Sequence, residues 1–276
     1  MAVTAVSFAS IFIRLCTAPP LAIAFYRLFF ATIILLPITI RLKLNELKSL
    51  SRGDVATMFL IGMFLSIHFA FWITSLEFTS VASSVALVTT HPLFVCFGGW
   101  LLLREKVTPP LLAGIILSIF GCVLIAYGDY GIGGDTLIGD LYALIGAAAA
   151  AAYFIGGRSL RQRVDTLPYA ATVYASCTLI LALSCILTDT PFYPYSARDF
   201  LLFLALAVVP MIIGHTTLNW ALKHLPASAV SASVLGEPAG STLMAALLLR
   251  EIPNSITLLG VAVTLSGIYL VSRGIT

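Results

Sequence analysis

The sequence predicts an all-α membrane protein of ten transmembrane helices, arranged as two inverted five-helix repeats. Three observations carry this. First, 60% of the 276 residues are hydrophobic and 10% are charged, whereas a soluble domain carries roughly 25% charged residues. With a mean hydropathy of +1.05, most of the molecular surface has to face lipid. Second, the apolar residues gather into runs, most of them near the length of one membrane-crossing helix. Third, a long segment of the first half recurs without a gap in the second.

The runs are Met1–Ile13, Pro20–Ile40, Val55–Leu76, Val81–Leu103, Pro109–Tyr127, Ile138–Gly157, Leu167–Leu187, Phe200–Leu222, Ala227–Leu249 and Ile256–Ser272. Pro20, Pro109 and Pro168 fall near the starts of runs, where a missing N–H costs nothing. Strands are disfavoured, because an open sheet leaves unpaired edges in lipid. The first run is short for a bilayer, so either its helix is tilted or further residues precede it. It lacks the basic flank of a signal peptide.

An even number of crossings puts both termini on one side. Segments on that side hold Arg41, Lys43, Lys48, Arg52, Arg104, Lys106, Arg158, Arg161, Arg163, Lys223 and Arg273, eleven of the fifteen Lys and Arg. The other side holds Arg14, Arg198 and Arg250, and Arg27 lies within a run. This bias predicts cytoplasmic termini in a multi-pass protein of the cytoplasmic membrane. The net charge of +3 comes from these short loops and gives no reason to expect nucleic acid. The five cysteines are odd in number, lack CxxC spacing and lie mostly in apolar runs. They read as small apolar residues.

Residues 75–128 match residues 221–274 at a constant offset of 146. Leu-Leu-Leu-Arg-Glu recurs whole at 101–105 and 247–251. Pro92 matches Pro238, Gly114 matches Gly260, Gly121 matches Gly267, and Gly128 matches Gly274. Five helices per copy is odd, so the second copy enters from the opposite face. The repeats span residues 1–127 and 138–274. Inverted repeats are a hallmark of secondary transporters.

The chain resembles the drug/metabolite transporter superfamily, in its ten-helix EamA-type branch. The resemblance rests on SFASIFIRL after the start, LAIAFYRLFFATIILLP in the second run, the two copies ending in LLLRE, the HTTLNWALKHLPAS stretch, and GEP in the ninth run. It implies ten helices, cytoplasmic termini, a central cavity, and export or uptake of small metabolites, often amino acids. The short first run departs from the family pattern.

The candidate site follows from polar residues inside apolar runs. Glu237 lies midway along the ninth run, just before Pro238 and among Gly236, Ala239, Gly240 and Ser241. A charge at the bilayer centre is unfavourable by at least about 2.5 kcal/mol, so it belongs in a bundle interior or wet cavity. Glu237 is read as a proton carrier or an anchor for a solute amine, against the plainer role of a structural carboxyl bonded to a neighbouring helix. His91, before Pro92, is its repeat mate, and a histidine titrates near neutral pH. His68 and Trp72 share a face of the third run; His215, Asn219 and Trp220 stand in the corresponding eighth run. These offer polar and aromatic walls, or alternatively ordinary interhelical hydrogen bonds. Arg27 and Arg14 are read as snorkelling to the interface or bonding a carbonyl. The alanines 147–152 are read as close helix packing.

The leading expectation is a proton-coupled secondary transporter, not an enzyme, with no cofactor or metal and with a small solute and the lipid bilayer as partners. No phosphate loop, HExxH or GxSxG motif is present. The rivals are an intramembrane enzyme with a metal on His68, His91, His215 and Glu237, and a passive channel or flippase. The sequence leaves monomer and homodimer open.

Overall fold

The computed structural model describes residues 1–79, 81–128, 136–244, 246–247 and 254–274. Every regular element among these is a helix: α1 (Ala2–Leu15), α2 (Pro20–Ser49), α3 (Arg52–Phe78), α4 (Val81–Val88), α5 (His91–Gly98), α6 (Pro109–Gly128), α7 (Thr136–Arg161), α8 (Thr166–Leu187), α9 (Ala197–Ala221), α10 (Ala227–Ser233), α11 (Gly236–Met244) and α12 (Ser255–Gly274). Six helical spans among the described residues are long and apolar enough to cross a membrane, with Ser83–Leu103 counted as one, and three shorter apolar ones accompany them. Large apolar side chains stand exposed along them, Phe97, Leu102, Leu179 and Leu201 each above 60%. In water such a surface would aggregate; in a bilayer it is the lipid face. The molecule is a multi-pass membrane protein. Arg250 and Glu251, used in the topology and repeat readings, lie outside the described residues.

One expectation on helix extent is refined and one is corrected. Beyond Ile40 the chain stays helical to Ser49, but Lys43 is non-helical and marks a kink between two helices, close to where the apolar run ends. The segment after Arg41 is rich in good helix formers, and Lys43 pairs with Glu46 one turn on. The fourth and ninth runs are each broken rather than continuous. α4 gives way to α5 at Thr89–Thr90, and α10 to α11 at Val234–Leu235. The cause is the proline just beyond each break, which cannot donate to the carbonyl four residues back.

α6 and α12 cross at glycines. A Cβ built on Gly114 would lie 2.6 Å from the Gly267 carbonyl oxygen, and one on Gly121 would lie 2.7 Å from that of Gly260. Ser118 donates to the Thr264 carbonyl at 3.2 Å, while Thr264 donates to the Ser118 carbonyl at 3.4 Å. Rising numbers on one helix meet falling numbers on the other, so the pair is antiparallel. The contacts are reciprocal at the repeat offset, as about a twofold axis. Thr32 of α2 and Thr178 of α8, again 146 apart, share a hydrogen bond of 3.0 Å.

The two halves of the chain are joined at both ends of the bundle. At the basic end, Asp165 takes Lys43 at 2.9 Å and Lys223 at 3.1 Å, and Arg163 pairs with Asp54 at 2.7 Å. Glu105 accepts from Arg158 Nε at 3.0 Å and from the Ala227 amide that opens α10 at 3.0 Å. At the other end, the Thr17 amide and hydroxyl each donate to Asp199 at 2.8 Å. There Tyr26 donates to the Phe192 carbonyl at 2.7 Å and stacks flat on Phe203, centroids 4.9 Å apart.

Candidate functional site

The helix breaks build the site. Pro92 leaves the Val88 carbonyl without its helical amide, and His91 Nδ1 donates to that oxygen at 3.0 Å. With Nδ1 carrying the proton, Nε2 turns inward and has no partner. Pro238 frees the Val234 carbonyl in the same way, and the Glu237 amide takes it at 2.8 Å. Glu237 thus opens α11 as His91 opens α5. Both side chains line one cavity between the halves. Among the described residues the Glu237 carboxylate makes no hydrogen bond and no ion pair.

Around these two, α3 contributes His68 and Trp72, α7 contributes Ala150, Tyr153 and Phe154, and α9 contributes His215 and Leu218. His68 donates through Nδ1 to the Gly146 carbonyl at 3.0 Å, and its ring stacks on Trp72, centroids 5.8 Å apart. His91 stacks on Phe154 at 5.3 Å. The cavity measures about 30 Å³, room for about two waters.

Arg27 of α2 also lines this cavity and is fully buried at 0% exposure. The snorkelling expectation for it is therefore corrected. Position 27 lies well inside the bundle, where a long side chain has no route to water. Its guanidinium sits over the Phe69 ring at 4.0 Å, a cation–π contact. None of its three nitrogens has a hydrogen-bond partner. Trp72 Nε1, His91 Nε2 and His215 Nδ1 are likewise buried and unpartnered. Buried polar groups are normally satisfied; here six unsatisfied nitrogens belong to residues lining one small cavity.

Asn219 stands just behind the wall. It is fully buried, and it accepts from the Tyr153 hydroxyl at 2.7 Å and donates to Tyr174 at 3.4 Å. Its own carbonyl accepts from Arg161 Nε at 2.9 Å, which ties the wall to the basic end. Trp220 does not join the site: it is 55% exposed and packs on His224. The helical period puts it on the opposite side from His215's neighbour Leu218. Sequence reasoning missed Arg27 and Tyr153. Arg27 carried the same signal as Glu237, an ionisable group inside an apolar run. Tyr153 had only its place at the end of the alanine run.

Apolar helices enclosing a cavity lined by unsatisfied polar groups, at the junction of the two halves, are what a membrane transporter of small solutes requires. The family model "EamA-like transporter family" matches residues 1–127 and 137–273, and the chain belongs to that family. An uncharacterized transporter of Archaeoglobus fulgidus is 25% identical, with 98% of this chain and 93% of that protein aligned. The uncharacterized transporter YdfC of Bacillus subtilis is 26% identical over 90% of this chain and 80% of its own length. A solved crystal structure superposes with a TM-score of 0.81 at 18% identity, covering 99% of this chain and 94% of that one, and so shares the fold.

Proposed function

We propose that the protein is a proton-coupled secondary transporter of amino-acid-like metabolites, built from two inverted five-helix repeats, residues 1–127 and 138–274, in the cytoplasmic membrane with both termini in the cytoplasm. The observation that carries this is the presence in one cavity of a guanidinium with no hydrogen-bond partner, Arg27, and a carboxylate, Glu237. No ion pair joins them within 4.0 Å. A zwitterion satisfies both, its carboxylate on Arg27 and its ammonium on Glu237. With no solute bound, a proton neutralises the Glu237 carboxylate; a protonated Glu237 cannot hold the ammonium, which makes proton and solute alternative occupants of that side chain. His91, His68 and His215 supply further polar nitrogens, Trp72 an aromatic wall, and Asn219 the bond that positions Tyr153.

The reciprocal antiparallel contacts of α6 and α12 support the inverted repeat, because a twofold axis between antiparallel helices that cross a membrane lies in its plane. The convergence of Lys43, Arg158, Arg163 and Lys223 at one end supports the topology drawn from the Lys/Arg bias. A cavity for about two waters is too small for an amino acid. Transport therefore has the halves separating, at one end and then the other. The metal-enzyme reading gains no support: among the described residues no three His, Cys, Asp or Glu side chains group as a metal site.

The test is counterflow in proteoliposomes with a mixture of radiolabelled amino acids. The wild-type chain is expected to exchange label and to accumulate it under an imposed proton gradient. A chain that passes label without saturation, and indifferently to the gradient, would be a channel.

A further inference from the structure

A second concavity lies outside the solute cavity, on the lipid face at the basic end. It is an open groove of about 1020 Å³ between the α5 side and the start of α6. Beyond Gly98 the helix widens into a π-helical turn, Gly99–Leu103, which splays its side chains apart. Phe97, Trp100 and Leu101, each more than half exposed, form one wall and Leu112 the other. At the mouth stand Arg104 and Lys106, both exposed. Arg104 holds a left-handed backbone, φ 55°, which arginine rarely adopts. Glu105 between them is no counter-ion, because Arg158 and the Ala227 amide occupy its carboxylate. Among the described residues neither the Arg104 nor the Lys106 side chain has an ion-pair or hydrogen-bond partner.

An apolar trough opening on two unpaired cations is complementary to one class of molecule that a membrane offers in quantity. We propose that this groove is a binding site for an anionic phospholipid, with an acyl chain along Phe97, Trp100 and Leu112 and the headgroup phosphate on Arg104 and Lys106. The charge decides between lipids. A zwitterionic headgroup brings its own cation to a site that already holds two, whereas an anionic one brings negative charge alone. The inference needs only the membrane character of the chain, and it stands or falls independently of the transported solute.

Native mass spectrometry of the detergent-purified full chain tests it, with phosphatidylglycerol and phosphatidylcholine added in turn. The wild type is expected to retain phosphatidylglycerol in preference. Arg104→Gln with Lys106→Gln should weaken that retention about tenfold. Leu112→Trp, which fills the trough and leaves both cations, should weaken it as well. Lys48→Gln with Arg52→Gln, equal in charge and at the same end but outside the groove, should leave it intact. Equal retention of both lipids would overturn the proposal, as would equal loss in the Lys48/Arg52 pair. Displacement by inorganic phosphate would reassign the cations to a free anion, with the same consequence.

Discussion

Glu237 and Arg27 set the chemistry, and each is held by a different physical device. Glu237 sits at a helix opening made by Pro238, so its place was readable from the sequence as an acid before a proline in an apolar run. Arg27 was equally visible as a residue, but which way it faces depends on the rotation of α2, and a helix apolar on nearly every side gives no face to read. Only packing turns it inward, onto Phe69. Two outcomes follow at this scale. Glu237→Gln keeps the shape and removes the titration, so the variant should insert and fold yet lose gradient-driven accumulation. Unchanged accumulation and an unchanged pH profile would make Glu237 structural. Arg27→Lys keeps the charge but loses the planar fork, and its amine reaches a shorter distance. It should weaken solute binding at least about tenfold, roughly 1.4 kcal/mol, in a titration of purified protein. Equal affinity would remove Arg27 from the site.

Among the elements, the pair α6 and α12 carries the tightest constraint. Gly121 and Gly267 face backbone atoms of the opposite helix too closely for any Cβ: one on Gly121 would lie 2.5 Å from the Thr264 amide nitrogen. Without a hydrophobic drive between helices in lipid, such close backbone approach is what makes the association favourable. Gly121→Val should therefore lower stability by about 1–3 kcal/mol, read as a drop in the melting temperature of the purified protein. Gly53→Ala is the control: the nearest atom to its new Cβ is 3.7 Å away, and the melting temperature should hold. The glycine pairs at the 146 offset were legible in the sequence, as was the helical class. The breaks in the fourth and ninth runs were half legible: both prolines were noted, yet hydropathy alone runs straight across Thr89–Thr90 and Val234–Leu235. The helical piece of α2 beyond the Lys43 kink was not legible, because Lys43 and Glu46 look like a loop until their pairing is seen.

On the scale of the whole molecule, the basic end is latched by charge and the opposite end by Thr17, Asp199 and the Tyr26–Phe203 stack. Glu105 is the centre of the latch, since it holds Arg158 and caps α10 together. Glu105→Gln weakens both bonds and should release this end. A cysteine replacing Thr89 in the cavity, on a cysteine-free background, should then react faster with an impermeant reagent applied from the basic side. No change in rate would mean that the latch does not gate. Asp165 predicts how the latch responds to pH. The hydrogen bonds from Lys43 and then Lys223 hold its carboxyl down at about 2. A depressed acid contributes fully above its unfolded value, near 4, and loses that contribution as pH falls through the folded one. Between pH 5 and pH 8 this link should not titrate. Asp165→Asn should thus change the rate of transport without changing the shape of its pH profile, whereas Glu237→Gln should flatten the profile.

The central claim is that one cavity holds a zwitterion between Arg27 and Glu237. A thermal-shift screen of detergent-purified protein against amino acids, nucleosides and simple amines tests it most directly, because a ligand of the native state raises its melting temperature. The account predicts a rise with amino acids in the wild type, lost in both Arg27→Gln and Glu237→Gln while their unliganded melting curves stay cooperative. A rise confined to nucleosides or amines, or an amino-acid rise that survives both substitutions, would contradict it.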